Sequence, residues 1–210
     1  MKIQELIERK VVAVIRHATK ENILQPVLAL IRGGVSVIEV TVENESGYDA
    51  IKTLSTLNEN FVLGAGTVLN KEMAIRAIES GAKFIVTPVL VEEVIHVAHE
   101  HNVIAIIGAL SPSEVYKATS LGADMVKIFP IDSMGLNYVK TLKAPLTMIK
   151  VIGTGGINLE NGANYLARGV DMIGVGSQLI DLKKEYNETS LVELENKTRA
   201  FMKVINGKNS

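Results

Sequence analysis

Eight short apolar runs alternate with amphipathic stretches along this chain, and that alternation constrains the fold more than any other feature. The runs are VVAVIR (11–16), VSVIEVTV (35–42), FVLGAG (61–66), KFIVTP (83–88), VIAIIGA (103–109), DMVKIFP (124–130), MIKVIG (148–153) and DMIGVG (171–176). Each has the length of a strand and is nearly continuous in Val, Ile and other apolar residues, as a strand buried on both faces must be. Between them lie segments such as KEMAIRAIESGA and SPSEVYKATSLGA, whose apolar residues return every three or four positions, the period of a helix. Gly34, Gly81, Gly122 and Gly169 each stand where a helical stretch gives way to a strand, the place for a left-handed helix C-cap. Helix starts are marked by Asn70, and by Ser111, Pro112 and Glu114 in the order of an N-cap, a first-turn proline and a capping-box acid.

Eight strand–helix units in 210 residues leave about 26 residues each, the economy of a minimal (β/α)8 TIM barrel. A doubly wound open sheet is the alternative; against it, no GxGxxG follows the first strand. The expectation is one α/β barrel domain over residues 1–210, with a short N-terminal helix at 1–9, a last helix at about 189–205 and a frayed tail at 206–210. With 22 Lys+Arg against 23 Asp+Glu, the chain has no basic excess to hold nucleic acid or an anionic membrane, so neither is an expected partner. The absence of cysteine excludes disulfides, thiolate metal sites and a cysteine nucleophile. The opening MKIQELIERK is no secretory signal, and no apolar stretch reaches the length of a membrane span, which makes the expected location cytoplasmic.

In such a barrel the reactive groups stand at the C-terminal ends of the strands. Lys127 interrupts DMVKIFP; if Val126 and Ile128 face the helices, Lys127 faces the barrel interior. Burial disfavours the charged form of an amine, and the neutral amine is the form that attacks a carbonyl, so a Schiff-base lysine is one reading. A lysine that extends its ammonium group to solvent, or pairs with a carboxylate, is the other. Glu39, with Thr41 on the same face, projects from the second strand, four strands from the sixth and therefore across the barrel from Lys127. The two are either a nucleophile with its proton shuttle or a structural ion pair.

The loop after the seventh strand, GTGGI, and the end of the eighth, GVGSQL, offer backbone N–H groups at Gly155, Gly156 and Gly176 and the hydroxyl of Ser177, where barrels hold phosphate. Arg16, ending the first strand, is a candidate anion ligand or else a rim arginine paired with Glu43 or Glu45. His96, His99 and His101 fall on or just after one helix with no acidic cluster beside them, so no metal site is expected. His17 reads as a solvated loop residue, and Tyr116, Tyr138 and Tyr165 as packing residues.

GGVSVIEVTV, GAGTVLN, KFIVTP, SPSEV, VKIFP, GTGGI and GVGSQL, in this order, resemble the 2-keto-3-deoxy-6-phosphogluconate (KDPG) and 4-hydroxy-2-oxoglutarate (KHG) aldolase family. The resemblance implies a homotrimeric, cofactor-free class I aldolase that cleaves a 4-hydroxy-2-keto acid to pyruvate and an aldehyde. It makes Lys127 the Schiff-base lysine and Glu39 the general acid/base, puts Thr67 beside the pyruvate carboxylate, and sets Gly155, Gly156 and Ser177 around phosphate, with a phosphorylated substrate favoured. With Arg16 and the strand-end residues Thr41, Pro88, Gly108, Phe129 and Thr154, Thr67 completes the expected substrate-binding set. Many members follow EVT with an arginine, where this chain has Glu43, which leaves Arg16 as the candidate replacement cation. A sugar-phosphate isomerase or epimerase with Glu39 as base, and a non-catalytic phosphosugar-binding barrel, are the competing readings on the same scaffold.

Overall fold

The computed structural model describes residues 2–207, in which eight parallel strands close into a barrel in sequence order. They are β1 (Val11–Ile15), β2 (Val37–Thr41), β3 (Val62–Gly66), β4 (Phe84–Val86), β5 (Ile104–Ala109), β6 (Met125–Ile128), β7 (Val151–Thr154) and β8 (Met172–Val175). The outer ring holds α2 to α9, with α9 closing it between α8 and α2, and α1 lies outside it: α1 (Ile3–Ile7), α2 (Leu24–Arg32), α3 (Glu45–Ser55), α4 (Lys71–Glu79), α5 (Glu92–Glu100), α6 (Pro112–Ser120), α7 (Tyr138–Lys143), α8 (Gly162–Ala167) and α9 (Glu188–Gly207). β1 pairs with β8 as well as with β2, so the (β/α)8 TIM barrel expected from the alternation is the observed fold and the open sheet is excluded. No helix among the described residues is long and apolar enough to cross a membrane.

The observed strands are shorter than the apolar runs, because pairing with neighbours and not hydrophobicity sets where a strand stops. The largest correction is β7: its ladder with β6 starts at Val151 opposite Val126, and Met148, which opened the apolar run, is 79% exposed. α1 covers residues 3–7, not 1–9, and α9 runs two residues past its expected end, to Gly207; Met1 and residues 208–210 of the expected tail lie outside the described residues. The segment between β6 and β7 carries α7 and a short 3-10 helix at Asp132–Met134 that no long apolar period announces. Tyr165 is buried and Tyr138 half-buried, but Tyr116, read as a packing residue, is 63% exposed, since it falls on the solvent side of α6.

Local signals act where the sequence placed them. Asn70 caps α4 by accepting from the Met73 N–H at 2.9 Å. Ser111 and Glu114 form a full capping box on α6, and the hydrogen bonds from Ser111 hold the Glu114 carboxyl below its ordinary range. The four helix-to-strand glycines all adopt positive φ, between 94° and 114°. The repeated GxDM at the starts of β6 and β8 has a shared purpose. Asp124 Oδ2 accepts from Ala105 N–H of the β5 strand at 2.8 Å and meets His99 Nε2 at 3.0 Å; Asp171 Oδ2 accepts from Val151 N–H and from Lys143 Nζ, each at 2.6 Å. Each aspartate fixes its strand against the preceding one, and Lys127 lies three residues beyond the first of these anchors.

Apolar side chains fill two shells. Ile38, Val40, Val126 and Ile128 face outward under the helices, while Val12, Val37, Phe84, Met125 and Met172 fill the barrel interior. A Cβ on Gly64 would fall within the Phe84 ring, so the large ring on β4 occupies the space its small neighbour on β3 leaves, the alternation that lets barrel layers interdigitate. Leu6 of α1 is fully buried in this interior cluster and closes the N-terminal end. The barrel centre is therefore reached from the C-terminal face.

Candidate active site

Above the apolar layers the interior turns polar. In β2, Val37, Glu39 and Thr41 share the inward face, and in β6 Met125 and Lys127 do the same, as the period of two requires. Glu39 is 1% and Lys127 5% exposed, and Lys127 Nζ stands 3.7 Å from Glu39 Oε1 across the barrel axis. That separation is an ion-pair distance outside hydrogen-bond range. Neither carboxylate oxygen of Glu39 has a hydrogen-bond partner among the described residues. A structural ion pair repays its desolvation only when direct hydrogen bonds satisfy both ends. This pair lacks them, which weighs against a purely structural role.

Neighbouring residues shape the pocket around these two groups. Gly66 is in register with Thr41, and a Cβ there would fall on Glu39 Oε1, so the carboxylate occupies the space that only glycine leaves open. The sequence reading passed over Gly66, whose signal was its place in GAG at the end of β3. Lys127 Nζ also lies 5.6 Å from the centre of the Phe129 ring, within cation–π range. Gly108 pairs with Lys127, and its missing side chain admits the Pro88–Val89 backbone. Thr87, another residue the sequence reading gave no role, joins these two strand ends: it accepts from Gly108 N–H at 2.9 Å and donates to Val89 O at 2.6 Å. Thr154 is buried at the end of β7, packed against Gly174, with its hydroxyl unpartnered among the described residues. Thr67 adopts φ +61°, an unusual conformation for a β-branched residue and one that recurs at functional sites.

The rim residues sort differently. Arg16 Nη1 meets Glu43 Oε1 at 2.5 Å, so of its two expected roles the structure shows the pairing with Glu43; Glu45 pairs with Arg76 instead. Arg16 and Ser177 also share the wall of a cavity of about 260 Å³, together with His17, Asp181 and Lys183. Gly155 and Gly156 turn the β7 loop with φ +94° and +76°, and the side chain of Asp132 packs where a Cβ on Gly156 would stand. Burial, followed by the charge and hydrogen bond of that same Asp132, pushes the Tyr165 hydroxyl up from its ordinary pKa. The expected phosphate residues thus end adjacent strands with different neighbours: Gly156 lies beside Asp132, and Ser177 beside Arg16, Asp181 and Lys183. Of the remaining histidines, His99 pairs with Asp124, and His101 Nδ1 lies 2.9 Å from Val97 O.

A buried amine facing a buried, unpartnered carboxylate at the open end of a barrel is an arrangement suited to imine chemistry on a carbonyl compound. Comparison with known proteins points the same way. The family profile described as KDPG and KHG aldolase matches residues 3–193. The 2-dehydro-3-deoxy-phosphogluconate aldolase of Haemophilus influenzae is 36% identical over 166 residues, covering 79% of this chain and 78% of that one. The KHG/KDPG aldolase of Escherichia coli K12 is 34% identical over 172 residues, 81% of this chain and 80% of that one. Among solved structures, the KDPG aldolase of Legionella pneumophila, with pyruvate captured as a covalent carbinolamine, superposes with a TM-score of 0.79 at 27% identity over 93% of both chains.

Proposed function

Because this chain belongs to the KDPG and KHG aldolase family, we propose that it is a class I aldolase in which Lys127 carries the substrate as a Schiff base and Glu39 moves the protons. The observation that carries this reading is the pair itself: the Glu39 carboxylate, buried and without a hydrogen-bond partner among the described residues, 3.7 Å from the Lys127 amine. The neutral amine attacks the C2 carbonyl of a 4-hydroxy-2-keto acid, Glu39 relays one amine proton to the developing hydroxyl, and a second proton, taken up from solvent through Glu39, lets that hydroxyl leave as water with the imine protonated. The protonated imine then accepts the electrons of the C3–C4 bond as Glu39 removes the C4 hydroxyl proton and the aldehyde departs. The enamine left on Lys127 takes a proton at C3, and hydrolysis of the imine releases pyruvate and the free amine. Thr67 and Thr154 offer hydroxyls to the keto-acid end, and Phe129 and Pro88 bound its apolar side. The homotrimer implied by the sequence resemblance belongs to the same reading.

Reduction with borohydride in the presence of pyruvate tests the chemistry. One three-carbon adduct per chain is expected on the peptide that contains Lys127. No adduct, or labelling of Lys150 in its place, removes the assignment and favours the isomerase reading, which needs Glu39 as a base and forms no covalent bond to lysine.

For the far end of the substrate we propose a phosphate held by the N–H groups of Gly155, Gly156 and Gly176 and the Ser177 hydroxyl. Lys183 and Arg16, on the same cavity wall as Ser177, supply the positive charge that the glycine loops lack. A phosphorylated 2-keto-3-deoxy sugar acid should then show a higher kcat/KM than 4-hydroxy-2-oxoglutarate. Ser177→Ala should lower the phosphorylated value by roughly tenfold, the worth of one hydrogen bond to a charged group. A preference for the unphosphorylated acid, or an indifferent Ser177→Ala, would lead us to abandon the phosphate site.

A further inference from the structure

The inward phase of β2 does not stop at Thr41. Continuing Val37, Glu39, Thr41 by two residues reaches Glu43, and continuing Val12 and Val14 of β1 by two reaches Arg16. Both side chains therefore rise over the barrel mouth, and there they meet: Arg16 Nη1 lies 2.5 Å from Glu43 Oε1, with side-chain exposures of 50% and 35%. The Thr41 hydroxyl stands 3.3 Å from Glu43 Oε2, which places the Glu43 carboxylate directly above the polar layer that holds Glu39. On its other side Arg16 lines the cavity shared with Ser177 and Lys183. One arginine thus faces an internal carboxylate on one flank and, on the other, a cavity whose wall carries both Lys183 and Asp181.

We propose that Glu43 is a built-in competitor for the anion-binding arginine: Arg16 exchanges the Glu43 carboxylate for an anionic group of the substrate, and Glu43 thereby sets how strongly that anion binds. This rests on the aldolase reading above. The ligand chemistry is a carboxylate or phosphate oxygen, both of which accept from a guanidinium as Glu43 does. The exchange is feasible because the ion pair is solvent-exposed. Such pairs are weak, so an incoming anion of equal charge can displace the carboxylate without a large barrier. A buried Arg16–Glu43 pair would be a structural element; one at the mouth, half open to water, is replaceable.

Glu43→Gln keeps the size and a hydrogen-bonding oxygen but removes the competing charge. It should lower the KM for cleavage by about two- to fivefold, the range that exposed ion pairs span, with the change in KM exceeding that in kcat. The same substitution in an Arg16→Gln background should produce no decrease. Two arms identify which anion is taken. A lower half-saturating pyruvate concentration in borohydride trapping assigns the exchange to the keto-acid carboxylate; a decrease confined to the KM of the phosphorylated substrate assigns it to the phosphate. An unchanged or raised value in both arms, or a decrease that survives Arg16→Gln, overturns the proposal. If the unsubstituted protein forms no adduct at all, the aldolase reading falls and this one with it. An adduct that forms normally, with Glu43→Gln indistinguishable from the parent, sinks the competitor role alone.

Discussion

Replacing Lys127 by Met should abolish aldol cleavage, with turnover reduced by roughly 10⁴-fold or more, as removal of a covalent nucleophile does elsewhere. Methionine keeps the length and apolar stem of the side chain, which is 5% exposed among the interior groups of β5, β6 and β7, but its thioether has no N–H to lose and cannot condense with a ketone to an imine. The same substitution leaves Glu39 as a buried carboxylate with neither hydrogen bond nor counter-ion, which should destabilise the fold by about 3–5 kcal/mol. Loss of activity and loss of stability must therefore be separated. Adding Glu39→Gln to Lys127→Met removes the stranded charge and should recover much of the unfolding free energy in a denaturant titration, while activity stays absent. A single Lys127→Met variant that retains even a hundredth of normal turnover, folded and free of revertant protein, would rule out a Schiff base at this position.

The barrel and the Lys127–Glu39 pair were legible in the sequence for one reason: strands impose a period of two, and a charged residue inside an apolar strand has only two directions to point. Lys127 between Val126 and Ile128, and Glu39 between Ile38 and Val40, left no third choice, and closure of the barrel then brought the two strands face to face. The helix caps were legible because Asn70, Ser111 and Glu114 bond to atoms at most four residues away. What neither the strand period nor a local cap dictates was not legible. The partner of Arg16 lies 27 residues along and had two candidates, Glu43 and Glu45, of which the second is drawn off by Arg76. The start of β7 was misplaced because Met148 and Ile149 look like strand residues, whereas the ladder with β6 begins only at Val151. Thr87 and Gly66 carried no chemical signal alone; each matters through a neighbour on an adjacent strand, Gly108 for one and Glu39 for the other.

Glu39→Gln should leave the barrel folded and cut turnover by roughly 10² to 10⁴, the usual contribution of a general acid/base. Glutamine has nearly the volume of glutamate, so the space that Gly66 leaves for the carboxylate stays filled. It loses the capacity to accept and return a proton, and the charge that faces Lys127 Nζ at 3.7 Å. Two steps of the proposed cycle depend on that capacity: carbinolamine dehydration and removal of the C4 hydroxyl proton. Both should slow, so the rate of borohydride-trapped adduct formation with pyruvate should fall along with the rate of cleavage. The two measurements discriminate among the roles Glu39 could have. A carboxylate that serves only the C4 hydroxyl would leave trapping fast while cleavage fails. A carboxylate that is only the counter-ion of Lys127 would leave both rates near normal and lower the unfolding free energy alone. A proton carrier at both stages slows both and slows cleavage more than trapping, because pyruvate has no C4 hydroxyl and reports dehydration in isolation, while cleavage requires the two transfers in succession.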